Sequence, residues 1–223
     1  MRRFDALIFD FDGTLANVPL DFDLMRTKIA ALAEGFLAVR PETDGQPILE
    51  WIDELAAEIA GHEGRDAGKE FHCRARLTIT ATEIDAARQG ELFEFTRPML
   101  ETLRERGVAA GVITRNITPA VLEVFPDLPG HVGAFIPRED AVRVKPDPEH
   151  LHQALRLLGV RPGRALMVGD HLMDIETGHR AGTASAGVAT GRISEAAFRE
   201  AGAEFTAPHA GELLKRLLRD NLL

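Results

Sequence analysis

The sequence predicts an α/β protein: a doubly wound, Rossmann-like parallel sheet, interrupted near its start by an inserted block of helices. Three observations predict it. A short apolar strand, Ala6 to Phe9, stands apart from all the others. From about residue 20 to 90 the apolar residues recur at helical spacing and strands are hard to find. Beyond Arg97-Pro98, strand and helix signals alternate, the pattern of a parallel sheet with helices on both faces.

Taken in order, residues 6–9 form a continuous apolar run ended by Asp10 and the turn formers Asp12-Gly13, so they read as a buried strand feeding a loop. In the insert, Met25, Ile29, Leu32 and Phe36 mark one helix. Ile48, Ile52, Leu55 and Ile59 mark a second, after Gly45-Gln46-Pro47, and a third from about Lys69 to Ala87 is less regular. Gly61, Gly64, Gly68 and Gly90 punctuate this block. Residues 98–106 are a helix with proline at its start and Gly107 past its end. Strands follow at 108–113, 132–136, 165–168 and 184–189, with helices at 118–125, 147–158 and 172–181 between them. Ser194 opens a further helix, 203–206 is a last edge strand, and a helix near 211–218 ends the chain. The economical reading is a discontinuous core of residues 1–16 and 96–223, with a helical domain of residues 17–95 inserted in it.

Composition narrows the function classes. With 223 residues, 45% hydrophobic and 27% charged, the chain is long enough to bury a real core and is unlike a disordered one. A net charge of −9 argues against nucleic acid as a partner, which needs a basic surface, but leaves room for one local anion pocket. The single cysteine, Cys73, excludes an internal disulfide framework and a cysteine metal cluster; it is expected to be partly buried and inert. The start, Arg2-Arg3 before apolar residues, is like that of an export signal, but Asp5, Asp10 and Asp12 interrupt the run. No apolar stretch approaches the roughly 20 residues of a membrane helix. The expectation is a cytoplasmic protein with no membrane partner.

In open α/β sheets ligands bind outside the carboxyl ends of the strands. Asp10, Asp12, Gly13 and Thr14 follow the first strand, and Thr114, Arg115 and Asn116 follow the strand at 108–113. Val144-Lys145-Pro146 lies beyond the strand at 132–136, and Gly169, Asp170, His171 and Asp174 follow the strand at 165–168. Crowded carboxylates cost several kcal/mol unless protonated or compensated. A hard cation such as Mg²⁺ removes that cost and prefers oxygen ligands. A phosphoryl group beside it needs donors, which Thr114, backbone N–H groups and Lys145 can supply. A carboxylate in line can then act as nucleophile.

Each element also has a plainer reading. Asp-Phe-Asp-Gly is a good turn, Thr114 a possible helix cap, Lys145 a solvated charge, and Asp170 with Asp174 the acidic start of a helix. What favours chemistry is that all four occur in this order, each near a strand end. The histidines show no zinc-type spacing, with His150 and His152 two apart and so on different helix faces. Trp51 reads as packing within the insert. Lys69, His72, Arg74 and Arg76 form a basic cluster, either a solvated helix face or a surface for an anionic substrate.

DFDGTL (Asp10 to Leu15), VITRN (Val112 to Asn116), VKPDP (Val144 to Pro148) and GDHLMDIETGHRAG (Gly169 to Gly182) together resemble the four motifs of the haloacid dehalogenase-like hydrolases. The likeness is nearest to the phosphoglycolate phosphatase-type branch, and the insert falls where that branch carries its helical cap domain. The resemblance implies a Mg²⁺-dependent phosphatase acting on a small phosphorylated metabolite; the oligomeric state is left open between monomer and homodimer, and the insert is expected to close over the site to exclude water. Asp10 matches the nucleophile that becomes an aspartyl-phosphate, and Asp12 the general acid/base. Thr114 and Lys145 match the phosphate-holding groups, with Arg115 beside them as a further phosphate-binding candidate. Asp170 matches a Mg²⁺ ligand, with the Asp10 side chain and the Asp12 carbonyl; Asp174 and Gly13 are supporting residues. Asn17, where the family often has Asp, and His171, where a small residue is usual, depart from the pattern. A phosphomutase or phosphotransferase on the same core, and a non-catalytic metal- or phosphate-binding regulatory protein, are the alternatives.

Overall fold

In the computed structural model, which describes residues 2–42 and 45–223, the chain begins with β1 (Ala6–Phe9) and the two-residue β2 (Ala16–Asn17). Three helices follow: α1 (Phe22–Leu37), α2 (Ile48–Glu63) and α3 (Arg65–Ala87). Next come β3 (Glu91–Leu92), α4 (Thr96–Glu105), β4 (Ala109–Ile113), α5 (Thr118–Val124) and β5 (Ala134–Ile136). The chain closes with α6 (Pro148–Leu158), β6 (Ala165–Gly169), α7 (Leu172–Ala181), β7 (Ala184–Val188), α8 (Glu195–Glu200), β8 (Phe205–Ala207) and α9 (Ala210–Arg219). It divides into two compact units, Met1–Val18 with Gln89–Leu223, and Pro19–Arg88.

The first unit is a six-stranded sheet in the order β5-β4-β1-β6-β7-β8, parallel at every pairing. β1 lies between β4 and β6, with Ile8 level with Gly111 on one side and Met167 on the other. The strand order therefore reverses at β1, which creates a crevice at its carboxyl end. Side chains alternate across the sheet. Leu7 and Phe9 pack on one face with Met99 and Leu103 of α4, Val121 of α5, and Leu213 and Leu217 of α9. Ala6 and Ile8 pack on the other with Leu151 and Leu155 of α6 and Ala181 of α7. Covering on both faces explains why the central strands are apolar without alternation. At the opposite end of β1, Asp5 takes two hydrogen bonds from Arg164, each 2.8 Å, and donates its N–H to the Arg164 carbonyl at 2.7 Å.

Several boundaries differ from the sequence expectation. The antiparallel pair β2–β3, which matches Ala16 with Leu92 and Asn17 with Glu91, is too short to leave a periodic signal. It belongs to the first unit, so the compact units part at 18/19 and 88/89 where the sequence reading parted at 16/17 and 95/96. α4 starts at Thr96, two residues ahead of the expected Pro98, because proline is tolerated in a first turn that needs no N–H from it. The buried Thr96 hydroxyl donates to the Leu15 carbonyl at 2.6 Å.

The second unit is a packing of α1, α2 and α3. Met25, Ile29 and Ala33 of α1, Ile52, Leu55 and Ile59 of α2, and Phe71, Ala75 and Ile79 of α3 are among its buried apolar residues. Gly68 permits the close approach of α3 to α2, since a Cβ there would lie 2.6 Å from the Ala56 carbonyl oxygen. Trp51 is buried as packing. Cys73 is exposed, a correction to its expected partial burial: it lies off the stripe formed by Phe71, Ala75 and Ile79. Three members of the basic cluster are paired with acids, His72 and Arg76 with Asp53 at 3.0 and 3.7 Å and Arg74 with Glu70 at 2.5 Å, as on a solvated helix face. Among the described residues, no helix is long and apolar enough to cross a membrane.

Candidate active site

β1 delivers Asp10 to the crevice, with its N–H donating to the Val168 carbonyl at 2.9 Å. The chain then turns sharply: the N–H groups of Thr14, Leu15 and Ala16 converge on the Phe11 carbonyl at 3.2, 2.9 and 3.1 Å. Gly13 carries the turn at φ +74°, and a Cβ there would lie 2.2 Å from Oδ2 of Asp170. Gly191, just past β7, approaches that same oxygen, with an ideal Cβ 2.4 Å away. The Asp170 carboxylate thus nests against two glycines from loops far apart in sequence. Thr190 ties the loops together, its hydroxyl donating to the Gly13 carbonyl.

Lys145 is the hub of the charges. Its ammonium lies 2.8 Å from Oδ1 of Asp10 and 2.6 Å from Oδ1 of Asp174, and it is almost wholly buried. Asp10 Oδ1 also accepts the Phe11 N–H at 2.8 Å. Asp174 does double duty, since its Oδ2 accepts the His171 N–H at 3.1 Å and closes the capping box that starts α7. Each of Asp10, Asp170 and Asp174 places a carboxylate oxygen within 4.8 Å of the others. One lysine does not neutralise three acids. Burial pushes the Asp10 carboxyl up to about 6, against the pull of Lys145. Burial, with repulsion from Asp10 and Asp174, pushes Asp170 to about 8. Burial lowers the Lys145 ammonium, but the charges of Asp10 and Asp174 outweigh it and hold the group above its ordinary value.

Asp12 stands in a different setting. Its two oxygens accept the Asn116 amide at 3.1 and 3.2 Å, and the Thr114 hydroxyl approaches at 3.5 Å. Thr114 Oγ1 accepts the Asn116 N–H at 3.0 Å, and Asn116 Oδ1 accepts the Ile117 N–H at 2.8 Å, so the turn after β4 holds both residues in place. The Arg115 guanidinium donates to the Lys145 carbonyl at 2.5 Å and meets the Met173 sulfur at 3.6 Å. His171 is exposed, and its ring caps α7 by accepting the Met173 N–H at 3.1 Å.

Asp10, Asp12, Gly13, Thr114, Lys145, Asp170 and Asp174 therefore converge on one rim, with Arg115 behind the lysine loop. Asn116 carries only a faint clue in the sequence, an amide two residues past a strand-end threonine. Thr190 and Gly191 lie outside every motif and left none.

The chain matches the family model of the haloacid dehalogenase-like hydrolases over residues 4–182. It is 29% identical to an N-acetylmuramic acid 6-phosphate phosphatase of Pseudomonas aeruginosa, over 97% of this chain and 96% of that protein. It is 28% identical to a phosphoglycolate phosphatase of Haemophilus influenzae, over 96% and 99% of the two chains. A hydrolase from Pseudomonas syringae shares the fold with a TM-score of 0.66 at 20% identity, over 96% and 98% of the two chains. The chain belongs to the haloacid dehalogenase-like hydrolases. Within them it is a phosphoric monoester hydrolase, in line with the phosphatases among its relatives. Phosphatases of this family generally use a divalent metal, and the Asp10, Asp170 and Asp174 cluster is of a kind that could hold one.

Proposed function

We propose that this enzyme hydrolyses a small phosphomonoester through an aspartyl-phosphate on Asp10, with Mg²⁺ as cofactor. The observation that carries the reading is the contrast between two carboxylates two residues apart. Asp10 sits on Lys145 among other acids, whereas Asp12 is turned toward the Asn116 amide and the Thr114 hydroxyl. Two acids in unlike surroundings suit two unlike roles.

Asp10 attacks phosphorus, forming one P–O bond as the ester P–O bond breaks, while Asp12 gives its proton to the departing oxygen. Asp12 then takes a proton from water, which attacks phosphorus, releases inorganic phosphate and restores Asp10. Lys145 and Thr114 hold the phosphoryl oxygens, and Lys145 reduces the repulsion between Asp10 and its target. Mg²⁺ suits the residues present: an all-oxygen donor set, more negative charge than Lys145 balances, and an Asp170 carboxylate fixed against Gly13 and Gly191. Held by Asp10, Asp170 and the Asp12 carbonyl, with Asp174 in support, it would supply charge stabilisation at the phosphoryl group. The relatives named for N-acetylmuramic acid 6-phosphate and phosphoglycolate point to a sugar phosphate or a phosphoglycolate-like acid as the substrate.

Phosphate release from a panel of phosphorylated metabolites, including N-acetylmuramic acid 6-phosphate and phosphoglycolate, tests the reading with and without Mg²⁺. At least one monoester should be turned over, and Asp10→Asn should abolish that turnover. Release of phosphate by the Asp10→Asn variant at the wild-type rate would reject the assignment.

A further inference from the structure

His150 belongs to none of the roles above, yet it is completely buried in the first turn of α6, five residues past Lys145. Both ring nitrogens are engaged. Nδ1 accepts the backbone N–H of Lys145 at 3.1 Å, so Nε2 carries the proton and donates to the Ile136 carbonyl at 3.0 Å. Burial, reinforced by the nearby Lys145 charge, pushes the ring down to about 4, which keeps it neutral with one donor and one acceptor. The Ile136 carbonyl, at the end of β5, also accepts the Thr114 N–H at 3.2 Å. One oxygen is thus shared by the segment that carries Thr114 and, through the imidazole, by the segment that carries Lys145. The other side of the Lys145 backbone is held by Arg115, which donates to its carbonyl.

We propose that His150 is a positioning residue that sets Lys145 against Thr114 across the phosphate pocket. The inference rests on the assignment of Lys145 and Thr114 as phosphate-holding groups. A loop outside the sheet has no ladder of its own to fix its register. Here a rigid ring of fixed width spans from a strand-end carbonyl to the lysine amide and supplies that register. An error of about 1 Å in a charged group at a reacting centre can cost on the order of 10² in rate, so such a brace has leverage on catalysis without touching substrate.

Two conservative variants separate the ring's two bonds. The Asn side chain places an acceptor near the position of Nδ1 and can keep the bond to the Lys145 N–H. The Gln side chain places a donor near Nε2 and keeps only the bond to Ile136. Each variant keeps one end of the bridge and loses the other, so with p-nitrophenyl phosphate and Mg²⁺ kcat/KM should fall about 10-fold or more for both. Thermal melts of the two variants should be similar. In a Lys145→Met background neither substitution should lower kcat/KM further, because there is no ammonium left to position. A wild-type kcat/KM for either variant, or a deficit that persists in full with Lys145→Met, overturns the inference. If Lys145→Met alone retains wild-type activity, it is the phosphate-holding assignment that fails.

Discussion

Oδ1 of Asp174 lies 2.6 Å from the Lys145 ammonium, and both side chains are buried. The pair joins the lysine loop to the first turn of α7, and the same carboxylate caps that helix at His171. A residue that would read from sequence as one more acid at a helix start is in this fold the counter-charge of a buried cation.

Removing that counter-charge should unfold the protein more easily. Breaking a buried ion pair costs about 3–5 kcal/mol, because the partner is left uncompensated. Lys145 keeps Asp10 as a second partner, so Asp174→Ala should sit toward the lower end, about 3 kcal/mol. Urea unfolding of the metal-free protein measures it. A loss below about 1 kcal/mol, the range of a surface pair, would contradict the role.

Metal dependence should follow the carboxylate cluster. EDTA should abolish activity and Mg²⁺ restore it, while Ca²⁺, with its larger and looser coordination, restores little. Asp170→Asn should raise the Mg²⁺ concentration needed for half-activity. Gly191→Ala should do the same without removing a ligand, since its Cβ would lie 2.4 Å from Oδ2 of Asp170. A Mg²⁺ titration of Gly191→Ala that overlays the wild type would show that this loop does not position Asp170.

Asp10 and Asp12 should separate in pre-steady-state kinetics. Nitrophenolate departs without a proton, so Asp12→Ala should still transfer phosphate from p-nitrophenyl phosphate to Asp10. The second half-reaction lacks its base, so a burst of up to one nitrophenol per site should precede a slow phase, reduced by about 10²–10⁴. Asp10→Asn should show no burst, because an amide is a poor nucleophile. Rapid mixing of both variants reads this directly. A burst from Asp10→Asn, or equal losses for Asp12→Ala on alkyl and nitrophenyl esters, would reverse the two roles.

Acid should loosen the amino-terminal end of β1 through Asp5. Hydrogen bonds from Arg164, joined by Arg2, hold its carboxyl down to about 2, below the ordinary 3.8. A folded-state value below the unfolded one means that the stabilisation is present in full above about pH 4 and is lost as pH falls toward 2. The melting-temperature gap between wild type and Asp5→Asn should therefore be constant from pH 7 to 5 and narrow below pH 4. A gap unchanged down to pH 2 would mean that the charge is not what stabilises this end.

The run of local structure, and which carboxylates, hydroxyl and lysine follow the strands, were legible along the chain. The central strands β1, β4 and β6 and the helices α5, α6 and α7 are legible because hydrophobic period, proline and caps act within a few residues. Asp10, Asp12, Thr114, Lys145 and Asp170 are legible because each follows a strand in a motif. Tertiary structure alone decided which groups meet. Placing β1 between β4 and β6 brings Asp12 to Asn116, 104 residues away, and Thr14 to Asp170, 156 residues away. Nothing near His150 in the sequence says that its ring will reach the Ile136 carbonyl, and nothing near Thr190 points to Gly13. The two-residue β2 and β3 pair only because the chain returns beside itself after residue 88. Local propensity depends on neighbours along the chain, whereas these contacts depend on strand order and register, which settle only when both faces of the sheet are buried at once.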